Sequence, residues 1–320
     1  MGKAENLRVV AFGGGTGLPV LLRGLRDKVG DLTAVVTVAD DGGSSGRLRQ
    51  ELGVAPPGDV RNCLVALAGR RRLAEVFDYR FDAPGDLNDH SVGNIIIAAL
   101  SDMAGGFSEG VEQAARFLRI KGRVFPAAME SLTLVARYGD GSVTRGESVV
   151  RSVDKEVVSV TVEPVGVRAP QAVIEAIEEA DVIVLSPGSL FTSTIPALLG
   201  VGTREALADF GGPVVYVANV MTQPGETSGF AISDHVRAIQ EHVGPIVTDV
   251  LVHIGELPKN TLDRYEAENA VPAVIDRDVL DEMDMRVRGA DLLAPNAGGG
   301  VRHDSERLAE EVCEAALVRF

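Results

Sequence analysis

Short apolar runs alternate with amphipathic stretches along most of this chain. Leu7-Arg8-Val9-Val10-Ala11-Phe12 is short and mostly apolar, as a buried parallel strand is. After it, Leu18, Leu21, Leu22 and Leu25 recur at helical spacing, with Arg23 and Arg26 free to face outward. Leu32 to Ala39 predicts a second strand; Leu64, Leu67 and Ala68 predict a helix; Val92 to Leu100, apolar all round, predicts a buried one. Further on, Ala172 to Ala180 reads as a short amphipathic helix, Asp181 to Leu185 as a strand, and Ile195 to Leu199 as a helix. Val214 to Ala218 is a buried strand, Asp234 to His242 a helix, and Ile246 to His253 and Val271 to Ile275 are strands. Asp291 to Ala294 is the expected last strand, before a closing helix from about Ser305 to Val318 capped by Asp304 or Ser305. Strand, turn and helix in alternation predict a doubly wound α/β fold, a mostly parallel sheet with helices on both faces. From Leu132 to Val162 the texture changes. Leu132–Tyr138, the turn Gly139-Asp140-Gly141-Ser142 and Val157–Val162 read as antiparallel strands, a β excursion that could form a lid or an oligomer contact.

Composition narrows the classes. At 320 residues the chain suits one large α/β domain or two smaller ones. No run approaches the roughly 20 apolar residues of a membrane span, and the N-terminus shows no signal-peptide apolar region. Cys63 and Cys313 show neither a disulfide framework nor metal spacing, which suits reduced core residues of a cytoplasmic protein. A formal charge of −15 argues against nucleic-acid or anionic-membrane binding. An acidic protein that binds an anion must therefore concentrate positive potential locally.

Candidate chemistry gathers at the ends of the expected strands. Gly13, Gly14, Gly15, Thr16 and Gly17 form a turn whose backbone N–H groups can approach a phosphate at a helix N-terminus; the bland alternative is a tight turn without ligand. Asp40 and Asp41 end the second strand and run into Gly42-Gly43-Ser44-Ser45-Gly46-Arg47. Either could hold a ribose hydroxyl, the pair could share a Mg²⁺, or the stretch could be a polar helix cap. Arg61 and Asn62, early in a helix after Pro56-Pro57-Gly58-Asp59, form an outward pair that could meet a sugar or base; otherwise Asp59 caps the helix and Arg61 is solvated. Asn94 is a polar residue on a buried helix and needs hydrogen-bond partners, from protein or ligand. His90 is an acid–base candidate or a structural donor. Gly188 and Ser189, with Thr192 and Ser193, make a second anion cradle; Asn219, Thr222, Gln223 and Glu226 make another polar edge. Arg302, next to Gly298-Gly299-Gly300, could clamp a diphosphate or pair with a surface acid.

Read together and in order, Gly13-Gly14-Gly15-Thr16-Gly17-Leu18, Val38–Arg47, Pro57–Asn62, His90–Asn94, Ser186–Leu190 and Asn219–Thr227 closely resemble the bacterial gluconeogenesis factor family (YvcK/GlmR). That family lies within the CofD-like superfamily of 2-phospho-L-lactate transferases. The resemblance covers nearly the whole chain. It implies a single CofD-like, Rossmann-like α/β domain over 1–320 with a β-rich insertion around 131–163. It further implies a cytoplasmic protein that binds UDP-sugars, UDP-N-acetylglucosamine foremost, and regulates cell-wall precursor supply and cell shape during gluconeogenic growth. A homodimer and a regulatory partner in amino-sugar synthesis fit that role.

Two functional readings follow. In the first, Gly13 to Gly17 and Gly188 to Ser189 hold the diphosphate, Asp40, Asp41 and Asn62 reach sugar or ribose hydroxyls, and Arg302 closes on the phosphates, with no cofactor required. In the second the protein is a transferase of phosphorus-containing groups, phospholactyl or uridylyl, with Mg²⁺ near Asp40 and Asp41. The sequence offers no clear nucleophile or general base for it. A dehydrogenase ranks last, because the glycine loop is not a proper dinucleotide fingerprint.

Overall fold

The computed structural model describes residues 4–82, 85, 87–153, 155–294 and 301–317. Among these residues ten strands run in chain order: β1 (Arg8–Gly13), β2 (Asp31–Val36), β3 (Arg123–Pro126), β4 (Thr133–Tyr138), β5 (Val143–Arg145), β6 (Val157–Glu163), β7 (Val182–Leu185), β8 (Val214–Val217), β9 (Asp249–His253) and β10 (Arg286–Ala290). Seven form one all-parallel sheet in the order β3-β2-β1-β7-β8-β9-β10. The chain builds outward from β1 to β3, returns to the other side of β1 at β7, and builds outward again to β10. The reversal makes the β1/β7 boundary the topological switch point, where open α/β sheets form a crevice beyond their carboxyl ends. Register levels the two strands there: Phe12 pairs with Leu185 and Gly13 with Val36 of β2.

Thirteen α-helices connect the strands among the described residues. Before the β excursion these are α1 (Gly17–Leu25), α2 (Gly43–Leu52), α3 (Gly58–Leu67), α4 (Arg71–Asp78), α5 (Val92–Ala104) and α6 (Phe107–Leu118). After them come α7 (Glu147–Ser152), α8 (Gln171–Glu179), α9 (Thr203–Asp209), α10 (Ile232–Val243), α11 (Lys259–Ala267), α12 (Arg277–Glu282) and α13 (Ser305–Leu317). The interior strands β1, β2, β7, β8 and β9 are buried at nearly every position, which is why their sequences are almost continuously apolar. The first helix packs against α3 and α13. Its contact with α13 is close: a Cβ on Gly24 would stand 1.8 Å from the Ser305 carbonyl oxygen. Asp304 caps α13, its Oδ1 accepting from the N–H groups of Glu306 and Arg307.

The excursion is an antiparallel sheet, β5-β4-β6, with α7 between β5 and β6. Val160 N–H of β6 donates to His242 Nε2 of α10 at 2.9 Å, fastening this sheet to the main body. Several boundaries differ from the sequence pattern. The last strand is Arg286–Ala290, and Leu293 forms only an isolated bridge to His303. Val271–Ile275 likewise makes isolated bridges, Pro272 to Met221 and Val274 to Ala231. Ile195–Leu199 is no α-helix; a π-turn over Leu190–Thr194 and a 3₁₀ turn over Pro196–Leu198 take its place, because Pro196 has no N–H to continue the ladder. Asp86, the loop Pro295–Gly300 and Val318 lie outside the described residues. Among the described residues no helix is long and apolar enough to cross a membrane.

Candidate functional site

Two loops meet at the switch point. Gly14–Thr16 leaves β1 and Ser186–Ser189 leaves β7, and they touch: a Cβ on Gly17 would stand 1.8 Å from the Pro187 carbonyl oxygen. Only glycine allows that approach. Thr16 precedes α1 in a helical conformation and its hydroxyl makes no cap, so the first-turn N–H groups are left without a side-chain acceptor. They open into a cleft of about 450 Å³ lined by Thr16, Gly17, Gly188, Asn219, Thr222 and Asn62, with Arg23, Tyr265 and Arg302 on its walls. Arg23 and Arg302 are exposed, and neither guanidinium has a hydrogen bond or ion pair among the described residues. In a chain of charge −15, two unmatched arginines on the walls of one cleft, Arg23 from the last turn of α1 and Arg302 from the segment before α13, form a local positive site beside the α1 N-terminus. The Tyr265 hydroxyl accepts from Val301 N–H at 3.1 Å, holding the segment that carries Arg302.

The β7 loop is a scaffold more than a cradle. Gly188 N–H donates to Asn219 Oδ1 at 3.0 Å, and Asn219 Nδ2 donates back to the Gly188 carbonyl at 2.6 Å. Gln223 Nε2 donates to Ser189 Oγ at 3.0 Å. Phe191 N–H and the Thr192 hydroxyl both donate to the Glu226 carboxylate, at 3.3 and 3.2 Å. Of the expected second cradle, the Gly188 N–H is thus taken by Asn219 and the Thr192 hydroxyl by the Glu226 carboxylate. Burial raises the Glu226 pKa against its Phe191 and Thr192 donors. Thr222 is likewise committed, its Oγ1 accepting from Val271 N–H at 3.0 Å.

A second cleft, about 600 Å³, adjoins the first at Asn62, which lines both. Its walls carry Asp40, Ser44, Ser45, Asp59, Arg61 and Arg80, together with Glu147, Ser148 and Arg151 from α7. Asp59 does not cap α3. Its Oδ2 instead accepts from Gly15 N–H at 2.7 Å, so the glycine loop's second face is turned to this cleft. The Asp59 residue is half-buried at the cleft floor, with its carboxyl enclosed by protein; desolvation first, then the nearby Asp40 charge, pushes its pKa up to about 6. Glu147 rises to about 7, chiefly through burial, with Arg151 opposing and Asp40, Asp59 and Asp41 adding to the shift. Asp41 itself is occupied, its Oδ1 accepting from Ser148 N–H at 2.8 Å, which ties α7 over the β2 loop.

The expected residues thus divide. Thr16, Gly17, Gly188, Asn219, Thr222 and Arg302 come together in the first cleft, Asp40, Ser44 and Ser45 in the second, and Asn62 in both. Gly13, Gly14, Gly15 and Ser189 line neither cleft, and Asp41 faces α7. Arg47 turns away: its guanidinium donates to His90 Nε2 at 3.0 Å and to the Asn88 carbonyl at 2.7 Å, which gives both residues a structural role. Asn94 Nδ2 donates to Ser44 Oγ at 3.1 Å, binding α5 to α2. Arg61 is neither outward nor solvated; only 3% exposed, it reaches Asp78 Oδ1 at 2.6 Å and Asn62 Oδ1 at 2.6 Å. Arg23, Tyr265, Glu147 and Arg151 were not expected. Arg23 sits on the polar face of an amphipathic helix; Tyr265 and Arg151 lie inside helices, and Glu147, although it follows Gly146 at the end of β5, belongs to the β excursion, where no site was expected. Among the described residues, no three His, Cys, Asp or Glu side chains stand close enough to hold a metal ion.

Comparison with known proteins agrees with the fold. The profile of the CofD family, 2-phospho-L-lactate transferase CofD, matches residues 9–293. A gluconeogenesis factor from Halalkalibacterium halodurans is 42% identical over 308 residues, 96% of this chain and 95% of that protein. The gluconeogenesis factor of Bacillus subtilis is 41% identical over 304 residues, 94% and 96% of the two chains. A crystal structure of a Bacillus halodurans protein superposes with a TM-score of 0.93 at 41% identity, covering 96% of this chain and 99% of that one.

Proposed function

This chain belongs to the CofD family and stands among the bacterial gluconeogenesis factors, and on that premise we propose that it binds a nucleotide-diphosphate sugar, UDP-N-acetylglucosamine foremost. The diphosphate lies in the switch-point cleft. The observation that carries this reading is the pair of unmatched arginines, Arg23 and Arg302, lining one cleft together with the uncapped N-terminus of α1. A diphosphate satisfies both guanidiniums and the helix N–H groups at once. Tyr265 lines the same cleft, and the uridine packs against it. Binding of a cell-wall precursor makes the protein a cytoplasmic sensor of precursor supply, in keeping with a regulatory role in cell shape during growth on gluconeogenic carbon.

Isothermal titration with UDP-N-acetylglucosamine tests it. Wild type is expected to bind, and Arg302→Ala and Arg23→Ala each to weaken binding by roughly tenfold or more, the worth of a charge-assisted hydrogen bond. Unchanged affinity in both variants would sink the assignment of the cleft.

The family's transferase name supports a second reading, which the raised carboxyls Asp59 and Glu147 favour as acid–base groups. Asp41 is committed to Ser148. A Mg²⁺ arriving with a diphosphate would therefore meet Asp40 rather than the pair. Metal-dependent product from UTP and a sugar phosphate, lost in Asp40→Asn, is the result that favours this reading.

A further inference from the structure

A diphosphate does not explain the second cleft. Four carboxyls, Asp40, Asp59, Asp89 and Glu147, line it and repel phosphate. Its arginines are already matched: Arg61 to Asp78 at 2.6 Å, Arg80 to Asp89 at 3.4 Å and Arg151 to Glu147 at 3.3 Å. The groups left to a ligand are of another kind. Asp40 uses Oδ1 to accept from Gly42 N–H at 2.9 Å, and Oδ2 has no hydrogen-bond donor among the described residues. Ser45 is only 4% exposed, yet its hydroxyl has no hydrogen-bond partner among the described residues and stands on the cleft wall against Gly58. The oxygen itself is open to the cleft and free to bond a ligand. Glu147 lines the same cleft from α7, which Asp41 anchors, and its Oε1 accepts from Arg151 while Oε2 is left to a ligand. Carboxyl acceptors, a free hydroxyl and no unmatched cation suit an uncharged ring carrying several hydroxyls.

We propose that this cleft is a sugar-ring subsite, in which Glu147, Asp40 and Ser45 read ring hydroxyls and α7 of the β excursion is the wall that sets specificity. With its pKa near 7, Glu147 can donate or accept a hydrogen bond at neutral pH, which matches the double nature of a hydroxyl. The inference rests on the nucleotide-sugar reading of the neighbouring cleft, which the second one joins at Asn62. The ring is either the sugar of that same ligand, reaching past Asn62, or a free sugar bound beside the nucleotide.

Titration of the full chain with UDP, with UDP-N-acetylglucosamine, and with N-acetylglucosamine after saturation by UDP separates these cases in wild type, Glu147→Ala and Ser45→Ala. If the sugar belongs to the same ligand, wild type prefers UDP-N-acetylglucosamine over UDP. Each variant then loses roughly fivefold of that preference, the worth of one hydrogen bond, while its UDP affinity holds within about twofold. If the sugar is separate, N-acetylglucosamine binds the UDP-saturated wild type and binding weakens roughly fivefold in the variants. A wild type that shows neither preference nor sugar binding overturns the subsite, as do variants that lose UDP and UDP-N-acetylglucosamine equally. Failure of wild type to bind UDP and UDP-N-acetylglucosamine alike overturns the nucleotide-sugar reading first, and the subsite with it. Ser45→Ala removes one oxygen and keeps the test decisive if Glu147→Ala does not fold.

Discussion

Asp59 shows how one residue couples folding to the site. Its carboxyl is enclosed beneath the glycine loop and titrates near 6 in the folded chain, against an ordinary 3.8. The folded state therefore holds this proton more tightly than the unfolded state does. Its contribution to stability is complete below about pH 4 and is lost as pH rises through 6; Glu147, raised from 4.5 to about 7, extends the loss toward neutrality. Asp59→Asn keeps an oxygen to accept from Gly15 N–H and removes the charge. It is expected to gain about 3 kcal/mol at pH 8, at roughly 1.4 kcal/mol per pKa unit, and almost nothing at pH 4. Urea denaturation at both pH values measures the difference, and a variant less stable at pH 8 would contradict it. Asp59 stood in the sequence as a helix cap, because a carboxylate before a helix has that as its local meaning. Its actual partner, Gly15, is 44 residues away and becomes a neighbour only through the fold. Arg302 was legible because a glycine loop preceded it; Arg23 was not, because an outward arginine on an amphipathic helix looks like any solvated one.

At the scale of elements, the pattern marked the interior of the sheet and missed its edges. The five strands with neighbours on both sides are almost wholly buried and read as apolar runs. The edge strands β3 and β10 are only partly buried at alternate or most positions, and their sequences, Arg-Val-Phe-Pro and Arg-Val-Arg-Gly-Ala, carry no such run. Strand β10 is held by charge as well: buried Asp249 takes Arg286 at 2.5 Å and Arg288 at 3.3 Å. Ion pairs of this kind leave no periodic signal. The packing of α1 on α13 is equally invisible, since Gly24 looks like a weak helix residue until Ser305 arrives against it. That contact also sets Arg23 and Arg302 on one cleft, because Gly24 follows Arg23 and Ser305 lies three residues after Arg302. Gly24→Val drives a side chain into the Ser305 carbonyl and is expected to cost about 3 kcal/mol. It should also weaken UDP-N-acetylglucosamine binding by displacing Arg302. Denaturation midpoint and titration report the two effects, and a variant that loses stability while keeping full affinity would uncouple the helix contact from the site.

For the whole molecule, net charge and local charge oppose each other. A chain of formal charge −15 repels an anionic nucleotide sugar at long range, while Arg23, Arg302 and the α1 N-terminus attract it once inside the cleft. Salt acts on these two fields differently. The Debye length falls from about 30 Å at 0.01 M to about 8 Å at 0.15 M, so added salt screens the distant acids before it reaches contacts within the cleft. The association rate constant is therefore expected to rise severalfold over that range, and the dissociation rate constant to rise as the arginine contacts weaken. Affinity then changes less than either rate. Stopped-flow binding at the two ionic strengths, using the change in Tyr265 fluorescence, separates them. An association rate that falls with salt would mean that the two arginines outweigh the acidic surface even outside the cleft, and that the molecule steers its ligand instead of merely holding it.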